Sequence, residues 1–153
     1  MPSDLPYRPC VGIMLLNKEG NIFTAERIDT LGAWQMPQGG VDKGEELQAA
    51  ALRELEEEIS VPENAVSIIR QTNSWVYYDL PEHLLGKAWG GKYRGQKQHW
   101  FLMQLDGNEA LINLKTEHPE FSNWKWSNPT DLVNEIVPFK KSVYEQVLRE
   151  LLY

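Results

Sequence analysis

The stretch from Gly39 to Val61, GGVDKGEELQAAALRELEEEISV, decides how this chain is read. The residues leading into it, Trp34 to Gly44, are broken by Pro37 and three glycines, so an ordered loop is expected there rather than a helix or a long strand. A helix is expected next, from Glu45 to Ile59. Leu47, Ala50, Ala51, Leu52, Leu55 and Ile59 recur at helical intervals, and Pro62 prevents continuation. Glu45 and Glu46 suit the positive N-terminal end of that helix.

Glu54, Glu57 and Glu58 are spaced i, i+3 and i+4, which places them within an arc of about 100° on the helix. Leu52, Leu55 and Ile59 cluster about 140° from the centre of that arc, so one side can be buried while the other faces a cleft. Like charges at these spacings cost a few tenths of a kcal/mol per pair, and a hard divalent cation offsets the crowding. Mg²⁺ or Mn²⁺ takes oxygen ligands and keeps water, leaving room for a substrate phosphate. Spacing alone leaves a solvated acidic face as the alternative, and Glu56 fits that description. The preceding loop favours the metal. Arg53 carries a rigid fork of donors able to hold a loop carbonyl or a neighbouring carboxylate, and Gly39 and Gly40 permit a close backbone approach that brings a carbonyl into the ligand shell.

Working outward, Val11–Leu16 and Asn21–Glu26 read as strands joined by a turn at Asn17-Lys18-Glu19-Gly20. Ala65–Tyr78, Gln98–Leu105 and Phe121–Trp126 read as further strands, and residues from about Phe139 to Tyr153 as an amphipathic helix with Val143, Val147, Leu148 and Leu151 inward. Strands interspersed with two or three helices indicate an α+β fold, a mixed sheet covered by helices. At 153 residues, with no repeat or low-complexity linker, residues 1–153 are expected to form one domain.

Composition excludes several classes. Apolar residues make up 42% and the chain has six Trp, six Tyr and four Phe, which argues against disorder. The apolar run Val11–Leu16 stops at Asn17-Lys18, far short of the about 18 residues a membrane span needs, and no secretory signal is visible. The single cysteine, Cys10, permits no internal disulfide and suggests a reducing, cytoplasmic setting with Cys10 packed in a strand. A net charge of −7 argues against a protein that coats duplex DNA. Charge is uneven, however: seven acids lie between Asp42 and Glu58 against Lys43 and Arg53, while Lys87, Lys92, Arg94 and Lys97 run with no acid between them. One segment suits cations and another anions.

Gly39, Glu45, Arg53, Glu54, Leu55, Glu57, Glu58 and Val61 match in spacing the box G-x5-E-x7-R-E-U-x-E-E-x-G-U, with U aliphatic, and on these residues the chain resembles the Nudix hydrolases. Eight of nine defined positions agree over residues 39–61; Ser60 stands where the pattern has glycine, and serine adopts a left-handed conformation at greater cost. The resemblance implies the Nudix fold, an α/β/α sandwich around a central mixed sheet. Outside the box, Tyr7-Arg8-Pro9, Trp34 to Gly40, Gly95 to Gln98, Pro119-Glu120-Phe121 and Val137 to Lys140 resemble the bacterial RNA pyrophosphohydrolases. That branch includes the asymmetric diadenosine tetraphosphate hydrolases.

Carried across by position, the resemblance implies that Glu54, Glu57, Glu58 and Glu120 ligate metal together with the Gly39 carbonyl, and that Glu45 braces loop and helix. Glu57, Glu54 and Arg53 are then the catalytic set, with Glu57 favoured as base. Arg8, Arg27 and Lys140 are implied at phosphates or nucleotide, Gln96, Lys97 and Gln98 at closure of the phosphate site, and Val137 and Phe139 at a base. Each has a plainer alternative: a turn acid for Glu120, a helix-start acid for Glu45, surface charges for the cations, a solvated strand start for Gln96 to Gln98, and packing for Phe139. Trp75, Trp100, Trp124 and Trp126 read as core or sheet residues, and Tyr77, Tyr78 and Trp89 either border a nucleotide pocket or pack. His83, His99 and His118 have no metal-triad spacing and receive no catalytic role.

The implied reaction is metal-assisted attack of water on a phosphoric anhydride. Its cofactor is a divalent cation, Mg²⁺ first, with Mn²⁺ or Zn²⁺ as alternatives. On 5′-triphosphorylated RNA it leaves a 5′-monophosphate end, a step the resemblance connects with mRNA decay; on diadenosine tetraphosphate it gives ATP and AMP. A non-catalytic nucleotide- or RNA-binding module on the same scaffold is disfavoured because every box carboxylate is present. A calcium-binding module is disfavoured because no EF-hand loop occurs.

Overall fold

Ten residues from Tyr7 to Leu16 form β1, the strand around which the computed structural model is arranged; the structure describes residues 4–153, so the first three residues of the expected 1–153 domain lie outside it. From Cys10 onward β1 is buried throughout. A run such as Cys-Val-Gly-Ile-Met-Leu-Leu, apolar on both sides, suits a strand covered on both faces. β1 pairs in parallel with β7 (Gly95–Leu105) from Tyr7 opposite Gly95 to Leu16 opposite Gln104. It pairs antiparallel with β2 (Ile22–Arg27) and β4 (Gln38–Gly40). β2 carries β3 (Trp34–Gln35) and β8 (Phe121–Ser127), and β7 carries β5 (Val66–Gln71) and β6 (Val76–Asp79), completing one mixed eight-stranded sheet.

Alternation along β1 divides its side chains between two cores. Val11, Ile13 and Leu15 join Phe23, Phe101 and Met103 under α1 (Leu47–Ile59), which contributes Ala51, Leu55 and Ile59. Met14 and Leu16 join Trp100 and Leu102 against α2 (Pro129–Glu135) and α3 (Lys141–Leu151), which contribute Leu132, Tyr144 and Val147. The result is the α/β/α sandwich with a central mixed sheet. Each large apolar side chain fully buried in this way stabilises by about 1.5–3 kcal/mol. A Cβ on Gly12 would lie 2.5 Å from ring atoms of Trp100, so only glycine lets that indole lie flat on β1.

Some expected boundaries differ. The helix starts at Leu47 rather than Glu45, because Glu45 belongs to the loop: its N–H donates to the Asp42 carbonyl at 2.9 Å and its carboxylate accepts the Asp42 N–H at 3.0 Å. The expected strand Ala65–Tyr78 is two strands. Thr72 is buried between them, its N–H donating to the Trp100 carbonyl at 2.9 Å and its hydroxyl accepting from the Trp100 N–H at 3.1 Å, so β5 and β6 meet different parts of β7. The Trp34–Gly44 loop contains the short β3 and β4. The last helix begins at Lys141, after a 3-10 turn over Pro138–Lys140. α2 was not expected, although Asn128 caps it by accepting the Asp131 N–H at 2.8 Å and Pro129 occupies its first turn. No helix among the described residues is long and apolar enough to cross a membrane.

Candidate active site

α1 is tied to its loop by Arg53. The guanidinium donates to both carboxylate oxygens of Glu45 at 2.8 Å, to the Gly40 carbonyl at 2.9 Å, to Glu54 at 2.8 Å and to Glu57 at 3.1 Å. Arg53 and the Asp42 N–H hold the Glu45 carboxyl down at about 2. The contacts expected of a brace between Glu45 and Arg53 are therefore present. At the other end of α1, Ser60 takes the left-handed conformation (φ 68°, ψ 15°). Its N–H donates to the Glu56 carbonyl and its hydroxyl to the Asn113 carbonyl, each at 2.9 Å, so the side chain that makes the turn costly also bonds across it.

Within the frame Arg53 makes, Glu54 and Glu58 are crowded and poorly solvated. Glu58 is only 7% exposed; its Oε2 has no hydrogen-bond partner, and its pKa is pushed well above the usual range by burial, with Glu120 and Glu54 adding repulsion. Burial also raises Glu54, against the pull of Arg53. Glu54 lies hard against Gly39, where a Cβ would come 2.0 Å from its carboxyl carbon. Glycine at position 39 is thus required for the loop backbone and this carboxylate to share one spot. Glu57 is 58% exposed and faces outward. Glu120 arrives from the segment before β8, its carbonyl accepting from the Ile28 N–H at 3.0 Å.

These groups fit a divalent cation: oxygen-only donors, an unpartnered buried carboxylate oxygen, and a backbone approach that a Cβ would block. Among the described residues no three His, Cys, Asp or Glu side chains already converge as a ligand cluster. Arg53 donates to Glu54 and Glu57 together, so part of their charge is already satisfied, while their other oxygen lone pairs stay available.

Cations line the same cleft as the acids. Arg8, Arg27 and Lys140 line a cleft of about 350 Å³ together with Gly39, Glu54, Glu58, Glu120, Gln96 and Phe139, so nine of the expected site residues share one cavity. Arg27 is held by Asp29 at 2.6 and 2.7 Å and by Gln35 at 3.2 Å. Lys140 is 8% exposed, and burial, with repulsion from Arg27, lowers its pKa to about 8. Its ammonium lies 5.5 Å from the Tyr78 ring and 5.8 Å from the Phe139 ring, and those two rings are 5.9 Å apart. Arg8 stacks 5.9 Å over Trp89.

Gln96 is fixed by a buried chain in which Gln98 donates to it at 2.7 Å and accepts from the Trp100 indole N–H at 2.8 Å. Gln98 therefore acts behind the cleft lining. Lys97 is a correction: strand alternation turns it away from Gln96, and its ammonium lies 4.7 Å over Trp75 rather than in the cleft. Val137 is a second difference, since it is partly buried against the core that α2 and α3 cover and is not among the residues lining the cleft. Tyr78 and Trp89 do line it, and Gln35 and Gln38 were missed as lining residues because a two- and a three-residue strand leave no periodicity to read. Glu57 lies in an adjoining groove of about 680 Å³ with Glu117 and His118; Glu54, Glu58 and Glu120 border both spaces.

This fold, with a braced acidic helix beside a cationic cleft, has known counterparts. The family profile described as the NUDIX domain matches residues 6–147, and the chain belongs to that family of divalent-cation-dependent hydrolases. It is similar to the RNA pyrophosphohydrolase of Cereibacter sphaeroides, 53% identical over 148 residues covering 96% of this chain and 91% of that one. Among solved structures, the E. coli dihydroneopterin triphosphate pyrophosphohydrolase superposes with a TM-score of 0.73 at 20% identity, covering 94% of this chain and 99% of that one. A C. elegans Ap4A hydrolase binary complex gives a TM-score of 0.67 at 21% identity, covering 91% and 93%. At those identities the two structures bear on the fold alone.

Proposed function

We propose that this chain, acting as one domain over residues 1–153, removes pyrophosphate from 5′-triphosphorylated RNA and leaves a 5′-monophosphate end. Mg²⁺ is the favoured ion, ahead of Mn²⁺ or Zn²⁺, because the donors are carboxylate and carbonyl oxygens. The observation that carries the reading is the single cleft lined both by Glu54, Glu58 and Glu120 and by Arg8, Arg27 and Lys140, with the adjacent Tyr78 and Phe139 rings in the same lining. An acid wall alone repels a polyphosphate, and a cationic wall alone binds one without cleaving it. The similarity to a relative named RNA pyrophosphohydrolase supports RNA as the substrate class.

Glu54, Glu57, Glu58, Glu120 and the Gly39 carbonyl are the groups to hold the cation. Once bound, it neutralises phosphate charge and makes water more acidic. Arg8, Arg27 and Lys140 grip the phosphate chain, Gln96 borders it, and the Tyr78–Phe139 wall takes a base by stacking. Water oxygen bonds to phosphorus, the bridging phosphorus–oxygen bond breaks, pyrophosphate leaves, and the water proton passes to a carboxylate, for which Glu57 is the candidate. The lone, buried Cys10 suits a reducing, cytoplasmic setting.

The test is turnover of triphosphorylated RNA and of diadenosine tetraphosphate by one preparation with Mg²⁺, before and after chelation. RNA is expected to be the better substrate, with EDTA abolishing both activities. Faster cleavage of the dinucleotide at equal concentration moves the assignment to an asymmetric hydrolase yielding ATP and AMP. Activity that survives exhaustive chelation removes the mechanism.

A further inference from the structure

Lys97 faces away from the cleft, and its surroundings point to a second site. Across β6, β7 and β1, Tyr77, Lys97 and Pro9 stand in one register row, with Asp79, Gly95 and Tyr7 in a neighbouring one. Alternation puts Tyr7, Lys97 and Tyr77 on the outer face of the sheet, and Arg8, Gln96 and Tyr78 on the cleft face.

On that outer face aromatic rings and cations interleave. Tyr7 and Tyr77 meet edge to face at 5.0 Å, Arg94 lies 4.8 Å over Tyr7, Lys97 lies 4.7 Å over Trp75, and Trp75 meets His99 at 4.5 Å. Asp79 accepts from both the Tyr7 hydroxyl and Arg94 at 2.9 Å, so this acid is engaged in holding the Tyr7 ring and its cation, and Arg94 also lies in the field of Asp4. Lys97 makes no ion pair among the described residues, and the Tyr77 ring is 52% exposed. The exposed Lys87 and Lys92 precede it along the chain.

We propose that this outer face of the β6–β7 edge is a single-stranded RNA platform that takes the chain downstream of the cleft. Exposed rings stack bases without regard to sequence, and adjacent cations follow the phosphates. Among the described residues β6 pairs only with β7, so it is an edge strand, with Tyr78 on the cleft wall and Tyr77 on the platform. A strand leaving the Phe139–Tyr78 wall reaches the platform by passing around that one edge strand, on which Tyr78 and Tyr77 are neighbours. The proposal rests on the RNA reading of the cleft, and the test separates the two.

Two RNAs serve as probes: a triphosphorylated dinucleotide, which reaches only the cleft, and a 5′-hydroxyl strand of about twelve nucleotides, which lacks the phosphates the cleft reads. By fluorescence anisotropy, Tyr77→Ala should weaken binding of the 5′-hydroxyl strand by roughly 5- to 150-fold, with kcat/KM on the triphosphorylated dinucleotide unchanged. Lys97→Ala should lower the salt dependence of that binding by about 0.7 in log–log slope. Wild-type affinity of Tyr77→Ala and Lys97→Ala for the strand overturns the platform, and so does a wild-type protein that does not bind it. Failure of the cleft reading looks different: the wild-type protein leaves the triphosphorylated dinucleotide intact while its binding of the 5′-hydroxyl strand still reports on the outer face.

Discussion

Glu58 and Lys140 are buried charged groups lining one cleft with no ion pair among the described residues, whereas Arg53–Glu45 in the adjoining loop and Arg27–Asp29 at the cleft's edge are satisfied ion pairs. The paired groups lie where the strongly acidic carboxyls are: Glu45 and Asp29 are both held at about 2. The unpaired groups are pushed toward neutrality, Glu58 upward and Lys140 down to about 8. The difference separates frame from working surface. A satisfied pair chiefly fixes backbone, although Arg27 keeps unused N–H donors at the cleft for a phosphate, while a desolvated group without a counterion gains most when a cation or a phosphate arrives.

Substitutions on the two sides should therefore act with opposite sign on stability. The largest effect is expected at Glu58→Gln, with turnover falling about 1,000-fold under saturating Mg²⁺. The metal-free protein should melt no lower than wild type, because a buried carboxylate with like-charged neighbours has been neutralised. A lower melting temperature by calorimetry would show that Glu58 belongs to the frame.

Next is Lys140→Met. A base whose folded pKa is about 8 against an ordinary 10.5 destabilises the fold by about 3 kcal/mol at pH below 8, because it must be charged in a poorly solvated place. Between pH 8 and 10.5 the unfolded chain binds the extra proton, so wild-type stability from this group rises with pH. The methionine variant should thus be more stable than wild type at pH 7, with the advantage gone near pH 10.5, in urea melts at the two pH values. An advantage that does not shrink with pH would trace to packing instead. Arg53→Ala should go the other way, losing about 2 kcal/mol because Glu45 and the Gly40 carbonyl are left without their donor. Turnover should fall with it, and no stability loss would show that the brace is dispensable.

The smallest effect is expected at Ser60. Ser60→Ala keeps the left-handed strain but loses the bond to Asn113, at about 1 kcal/mol. Ser60→Gly loses the same bond and relieves the strain, so it should stay within about 0.5 kcal/mol of wild type. Equal stability of the two variants would mean that strain at position 60 is negligible.

What the sequence determined by itself is the part whose logic is local. The i, i+3, i+4 carboxylates, the apolar stripe opposite them, the loop glycines and the stop at Pro62 all lie within about two dozen residues, and the helical period places each without knowledge of the rest of the chain. The resemblance extended that reading to Glu120, Arg8, Arg27 and Lys140, which the fold brings to the same cleft. Tertiary structure alone decided the facing of β7. A period of two says that Gln96 and Lys97 point opposite ways, but only pairing with β1 and β6 says which of them meets the cleft, and it chose Gln96. It also decided that Val137 is partly buried against the core rather than lining the cleft, that Thr72 splits one expected strand into two, and that Lys140 loses most of its water. Solvation and register depend on elements distant in the chain, so no local pattern carries them.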